Sequence, residues 1–182
     1  MRIKKGLSLL IAALFIFTLG SGALNNDDIS AKSAVLIDSK TGTVLYAKNI
    51  HERLPMASTT KIMTAIVAIE NSNISDVVTV SKEAVGVEGS SIYLCAQEKL
   101  SMENLLYALL LESANDVAAA IAIEVAGSID AFAELMNSKA QELGLENTHF
   151  TNPHGLDNEE HYTTAYELAK VAAYAMKKRN FQ

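Results

Sequence analysis

The sequence predicts an α+β domain, built as an N-terminal β-hairpin followed by a mainly helical lobe. Two observations carry this. Between Ser33 and Asn49 the apolar residues fall in two short runs rich in β-branched and aromatic types, and beyond Pro55 the apolar spacing changes to the helical period. With 182 residues, 49% hydrophobic and 20% charged, the composition is that of one ordinary globular domain rather than a disordered or fibrous chain.

The first segment differs in kind from the rest. Arg2, Lys4 and Lys5 precede an apolar run from Leu7 to Leu19, and the small residues Ser21, Gly22 and Ala23 follow, so residues 1–23 read as a secretory signal peptide that is short for a membrane span. Removing its three basic residues takes the formal net charge from −6 to −9, and so acidic a remainder argues against nucleic acid and anionic membrane surfaces as partners. Cys95 is the sole cysteine, which excludes an internal disulfide and a lipoprotein anchor. His51, His149, His154 and His161 show no paired ligand spacing and have no thiol cluster beside them, so no zinc site and no cofactor are expected.

The elements follow in order over residues 24–182. SAVLIDSKTGTVLYAKN, from Ser33 to Asn49, has two strand-like runs around a polar stretch with Gly42 and predicts the hairpin. Ile62, Ala65, Ile66 and Ile69 recur at helical spacing, so a helix should begin near Ser58. A short extended piece over Val77 to Ser81 leads into a loop around Gly86 to Ser91, and Ser101 has the chemistry of an N-cap for MENLLYALLLE. That helix breaks at Ser113-Ala114-Asn115, after which DVAAAIAIEVAG resumes as a nearly all-apolar helix, expected to be central and buried. Ser128 caps a further helix with Ile129, Phe132, Met136 and Leu143 on one stripe and Gly144 at its end. After the polar loop NTHFTNPHGLDNEEHY, Thr164 and Glu167 have capping-box spacing ahead of a last helix containing Leu168, Val171 and Met176.

Two of these positions carry chemistry. A serine hydroxyl is a weak nucleophile and needs a base within hydrogen-bond reach; Ser58-Thr59-Thr60-Lys61 puts a lysine three residues on, on the same helical face. The helix N-terminus adds backbone N–H groups that stabilise negative charge developing on an attacked carbonyl oxygen. Lys61 accepts a proton only if burial or a cationic neighbour lowers its pKa. The second position is the polar break Ser113-Ala114-Asn115 between two apolar helical segments, where buried polar groups need a reason.

A Ser-x-x-Lys motif followed by Ser-x-Asn forms the first two parts of a three-part signature shared by β-lactamases and penicillin-binding proteins. Beyond these, DSKTGTVLYAKN, PMASTTKIMTA, LLLESANDVAAAIA, ELGLENTHFTNPHGL and HYTTAYELA resemble the low-molecular-weight penicillin-binding D-alanyl-D-alanine carboxypeptidases of bacteria, over nearly all of the chain after the leader. The resemblance implies a DD-peptidase/β-lactamase-like fold and a serine-type enzyme that trims the terminal D-alanine from peptidoglycan stem peptides through an acyl-serine intermediate. It implies Ser58 as nucleophile, Lys61 as general base, Ser113 as proton relay to the leaving D-alanine, and Asn115 as a ligand of the substrate's backbone amide. The peptidoglycan pentapeptide and covalently bound β-lactams are the implied partners, and the cell wall or the outer face of the cytoplasmic membrane the implied location.

The sequence departs from the family pattern in its third motif, a Lys-Thr-Gly on a strand after the helical lobe. Lys40-Thr41-Gly42 precedes the nucleophile and falls in the hairpin turn, where it reads as a decoy. The expectation is thus an incomplete fold with the later sheet strands absent, a partial catalytic domain over 24–182 of a longer enzyme whose membrane anchor would lie beyond Gln182. Two alternatives compete: a class A-like β-lactamase, for which Glu134-Leu135-Met136-Asn137 offers the water-activating glutamate, and a non-catalytic fragment that binds penicillin or wall peptides. His154 and His161 read as residues that structure the loop they bracket, and Cys95 as a small buried or half-buried hydrophobe.

Overall fold

The computed structural model describes residues 29–178 and 181. The signal peptide expected over residues 1–23 lies outside them. From Ala31 onward the described residues form one unit.

The predicted hairpin is β1 (Ala34–Ile37) paired antiparallel with β2 (Val44–Lys48), with Ala34 opposite Lys48 and Leu36 opposite Tyr46. Its turn is held by the Asp38 carboxylate, which accepts from the Lys40 and Thr41 backbone N–H groups, while Gly42 takes φ 75°. Lys40-Thr41-Gly42 is therefore turn structure, as expected.

A short 3-10 turn over Ala57–Thr59 opens α1 (Thr60–Asn71), whose residues Met63 to Ala68 are all buried. β3 (Val77–Thr79) pairs antiparallel with β4 (Lys99–Ser101), Val77 opposite Ser101. The β4 strand was not visible in the sequence, because it is three residues long and runs straight into a capped helix. Ser101 caps α2 (Met102–Leu111) by accepting from the Asn104 N–H at 3.2 Å. α3 (Asn115–Ala126) follows after the three-residue break and ends at Gly127 with φ 82°. Its residues Val117 to Ala122 are buried, and it packs against α1, α2 and the next helix, so the expected central helix is the one observed. Its alanines let those neighbours approach closely while the larger Ile121 and Val117 fill the core.

Ser128 caps α4 (Ile129–Glu142) through the Ala131 N–H, with Phe132 and Met136 fully buried. The loop from Asn147 to Tyr162 is pinned by a bridge between His149 and Tyr162, and α5 (Ala165–Ala175) ends the described helices. Two expectations need correction here. Thr164 caps α5 by accepting from the Glu167 N–H, but the Glu167 carboxylate does not close the capping box; it is buried and accepts from the Asn147 N–H and Thr148 Oγ1, tying α5 to the start of the loop. Met176 lies past the helix and is exposed, so the buried stripe of α5 rests on Val171 and Ala175. No helix among the described residues is long and apolar enough to cross a membrane.

Candidate active site

Ser58 stands in the 3-10 turn that opens α1, exposed, while Lys61 one turn later is only 2% exposed. The spacing read from the sequence thus produces a hydroxyl facing solvent and an amine facing the interior, with Lys61 Nζ 3.2 Å from Ser58 Oγ. Two further atoms complete the shell of the amine: Asn115 Oδ1 at 2.7 Å and the His154 backbone carbonyl at 2.8 Å. No ion pair among the described residues involves Lys61. Burial without a counter-ion lowers the Lys61 pKa to about 8.

The three contacts differ in what they permit. A backbone carbonyl only accepts. The Asn115 carboxamide is oriented by its other end, where Nδ2 donates to the Glu88 carbonyl at 2.6 Å, so Oδ1 faces Lys61 as an acceptor. A neutral lysine has two N–H donors and one lone pair. With two obligate acceptors on the far sides, both donors are taken and the lone pair is left directed at the Ser58 hydroxyl. The geometry therefore lets Lys61 accept the Ser58 proton, once the amine itself is neutral.

Each partner is held by its own local structure. Asn115 begins α3, and its backbone N–H donates to the Ser90 carbonyl at 2.7 Å. Ser113 sits in the same break, half-buried, with φ 55°. Among the described residues its hydroxyl has no hydrogen-bond partner, so of the four expected site residues Ser58, Lys61 and Asn115 are joined by direct bonds while Ser113, two residues before Asn115, is bonded to none of them.

The loop that carries the His154 carbonyl is shaped by Asn152, whose Oδ1 accepts from the Gly155 N–H at 2.7 Å. It is fastened to α1 twice more: Thr64 Oγ1 donates to the Pro153 carbonyl at 2.6 Å, and His161 Nε2 lies 2.7 Å from Thr60 Oγ1. His161 Nδ1 accepts from the Thr151 N–H at 3.0 Å, so Nε2 carries the proton of the neutral ring and donates to Thr60. Burial lowers the pKa of both His154 and His161 to about 4, with the Lys61 charge adding to the shift at His154. Gly155, at φ 89°, touches the backbone ahead of the serine so closely that a Cβ there would lie 1.9 Å from the Ala57 carbonyl oxygen. Ala57 is itself held at φ 46°. Both histidines structure the loop, as expected, and they do so against the helix that bears Ser58.

Sequence reasoning missed the His154 carbonyl, Gly155 and the buried Asp116 next to Asn115. Only Asp116 left a signal, as an acidic side chain entering a nearly all-apolar helix. Cys95 is exposed, contrary to the expected small hydrophobe: its backbone N–H donates to Glu98 and its side chain packs in no core. The alternative glutamate also finds no support. Glu134 is exposed on α4, and the Asn137 carboxamide is occupied by both backbone groups of Phe150. The cavity of about 290 Å³ beside Lys40-Thr41-Gly42 is walled by α5 and includes none of Ser58, Lys61, Ser113 and Asn115.

Solved structures share this architecture at sequence identities that carry more than fold. Penicillin binding protein 6B from Escherichia coli aligns with a TM-score of 0.81 at 32% identity, covering 88% of this chain and 55% of that one. A D-alanyl-D-alanine carboxypeptidase from Mycobacterium tuberculosis aligns with a TM-score of 0.82 at 29% identity, covering 88% and 61%. The fold is thus that of the penicillin-binding DD-peptidases. Among curated relatives, the D-alanyl-D-alanine carboxypeptidase DacF of Bacillus subtilis is 40% identical over 187 residues, 96% of this chain and 48% of its own length, and DacD of Escherichia coli is 38% identical over 183 residues, 90% and 47%. Residues 21–182 match the D-alanyl-D-alanine carboxypeptidase family, and the chain belongs to it. It spans about half the length of these two curated relatives.

Proposed function

We propose that this chain carries the acylating half of a serine D-Ala-D-Ala carboxypeptidase site. The observation that carries the reading is the buried, uncompensated Lys61 amine whose two obligate acceptors leave its lone pair for Ser58. In the proposed reaction the neutral amine takes the Ser58 proton as Oγ attacks the carbonyl of the penultimate D-alanine. The negative charge that develops on the carbonyl oxygen is stabilised by N–H groups at the start of α1. As the tetrahedral adduct collapses, the peptide bond breaks, the leaving D-alanine amine takes a proton through Ser113, and an acyl ester remains on Ser58. Water then attacks the ester, releasing the shortened stem peptide and restoring the serine. Asn115 both orients Lys61 and offers its carboxamide edge to the backbone amide of the peptide.

A β-lactam presents a strained amide to the same nucleophile, so penicillin is the proposed covalent inhibitor, and peptidoglycan pentapeptides outside the cytoplasm are the proposed substrates. The resemblance assigns the substrate carboxylate to a Lys-Thr-Gly strand, and no residue described here is given that role. The test is peptide mapping after penicillin treatment. The adduct is expected on Ser58 and absent from Ser58→Ala, with the fold of the variant intact by circular dichroism. An adduct mapped to Ser113 or to the exposed Cys95 would overturn the assignment.

A further inference from the structure

Asp116 follows Asn115 in the first turn of α3 and is fully buried, yet it has no cationic partner among the described residues. Its carboxylate accepts from Ser91 Oγ at 2.7 Å, the Leu94 N–H at 2.9 Å and the Ile92 N–H at 3.3 Å, all in the loop before β4. Only one bond, from the Val117 N–H at 3.0 Å, stays within its own helix. A carboxylate serving merely as a favourable charge at a helix N-terminus needs no such loop, since bonds to its own helix and to water would suffice.

The same loop holds Asn115. Its Glu88 carbonyl accepts from Asn115 Nδ2, its Ser90 carbonyl accepts from the Asn115 N–H, and Gly89 approaches so closely that a Cβ there would lie 2.6 Å from Nδ2. Neighbouring side chains on one helix turn thus grip the two halves of a single loop. The shape of that loop is imposed rather than locally preferred, because Tyr93 is held at φ 61° while its N–H donates to Ser91 Oγ, the hydroxyl that in turn donates to Asp116.

The consequence concerns the direction of the Asn115 amide. A flipped carboxamide would set an N–H₂ group against the Lys61 amine and an oxygen against the Glu88 carbonyl, and it is the position of that carbonyl which forbids the flip. We propose that Asp116 is a positioning residue for the acylation step: by fixing the loop from Glu88 to Leu94 it keeps the Asn115 carboxamide in the orientation that presents Oδ1 to Lys61. The proposal rests on the reading of Lys61 as the base.

Two measurements on the full chain test it. Hydrogen exchange of the Asn115 side-chain amide, followed by NMR, reports its anchoring without any catalytic turnover, and the second-order rate of acylation by benzylpenicillin, normalised to folded protein, reports the base. In Asp116→Asn, exchange should quicken by about tenfold or more, the equivalent of one hydrogen bond, and acylation should slow by a similar factor or more. Ser91→Ala removes one loop bond to the carboxylate but keeps Asp116 itself and its bond from the Val117 N–H at the start of α3, so a smaller change in the same direction separates positioning from helix stabilisation and keeps the test alive if Asp116→Asn fails to fold. Gly89→Ala, which presses directly on Nδ2, should slow acylation as well. Unchanged amide exchange together with unchanged acylation in Ser91→Ala, and in Asp116→Asn where it folds, would overturn the proposal, while Gly89→Ala shows only that both readouts respond when Asn115 is moved. If the wild-type protein takes up no penicillin at Ser58, the functional reading fails instead, and the amide-exchange measurement alone decides whether Asp116 anchors Asn115.

Discussion

The two ends of α1 each carry the charge that the helix dipole disfavours, and the structure treats them in opposite ways. At the first turn the positive Lys61 is buried with neutral acceptors only, and its pKa falls to about 8. At the last turn the negative Glu70 accepts from Lys139 Nζ, Lys178 Nζ and Tyr174 Oη, each at 2.6 Å. Burial alone would raise the Glu70 pKa, but these three donors outweigh it and hold the carboxyl at about 2. One end leaves its charge uncompensated, which favours the neutral amine. The other end neutralises its charge with partners from α4 and from the segment after α5, which makes the group a clasp. A lowered lysine pKa costs stability below it, since the unfolded chain binds that proton more tightly. The same helix thus bears the cost of a buried, uncompensated amine at one end and gains stability at the other.

The sharpest way to break this contrast is Lys61→Arg. Arginine keeps the charge and the donors but does not give up a proton at working pH, so acylation should fall by about 100-fold to 10,000-fold, the range a general base contributes. In the wild type the acylation rate should rise with pH and level off above a midpoint near 8, because the neutral amine is the form proposed to take the Ser58 proton. Near-normal acylation by Lys61→Arg, or a rate flat with pH through that midpoint, would show that Lys61 only positions the serine.

A second substitution probes the Ser58 end from the backbone side. An alanine side chain at Gly155 would meet the Ala57 carbonyl oxygen at 1.9 Å and its carbon at 2.4 Å, both backbone atoms that cannot swing aside. Gly155→Ala should therefore destabilise by about 1–3 kcal/mol and move the turn that carries Ser58, lowering acylation of the remaining folded protein. Gly42→Ala is the control. It has a similar positive φ of 75° but open space around the added carbon, so about 1 kcal/mol of thermal stability should go with no change in acylation. Equal acylation rates in the two variants would show that the approach of Gly155 to Ala57 does not hold the nucleophile.

How much of this was legible beforehand differs along the chain for physical reasons. Ser58 and Lys61 are three residues apart, across the 3-10 turn and the α1 that it opens, so their contact follows from local geometry, and the caps at Ser101, Ser128 and Thr164 likewise involve neighbours only. The polar break around Asn115 was visible because it interrupts apolar helix. The third contact of Lys61 was not, because a backbone carbonyl carries no side-chain identity and any residue at position 154 would supply one. Glu167 shows the limit of local patterns: its spacing from Thr164 fits a capping box, but the Asn147 N–H, distant in sequence, competes for the carboxylate and wins. The Glu70 cluster escaped for the same reason, since its partners meet only when α4 and α5 pack on α1.

That cluster is expected to affect stability and to leave acylation unchanged, which makes it a second control. Glu70 has a folded pKa of about 2 against an unfolded value near 4.5, so its stabilisation is complete above 4.5 and is lost as pH falls from there through 2. The full shift would correspond to about 3 kcal/mol, but Lys178 is 34% exposed and Lys139 is shared with the exposed Glu142, so solvent screening leaves about 1–2 kcal/mol. Glu70→Gln should lower the stability measured by urea unfolding at pH 7 by that amount and flatten its dependence on pH between 4.5 and 2, where the wild type loses stability steeply. High salt should narrow the difference between the two proteins. Acylation of folded Glu70→Gln at pH 7 should equal that of the wild type, because no hydrogen bond of the Lys61 shell involves Glu70. A slowed acylation in this variant would mean that α1 transmits the loss of its clasp along its length to Ser58, and the two ends would then have to be treated as one device rather than two.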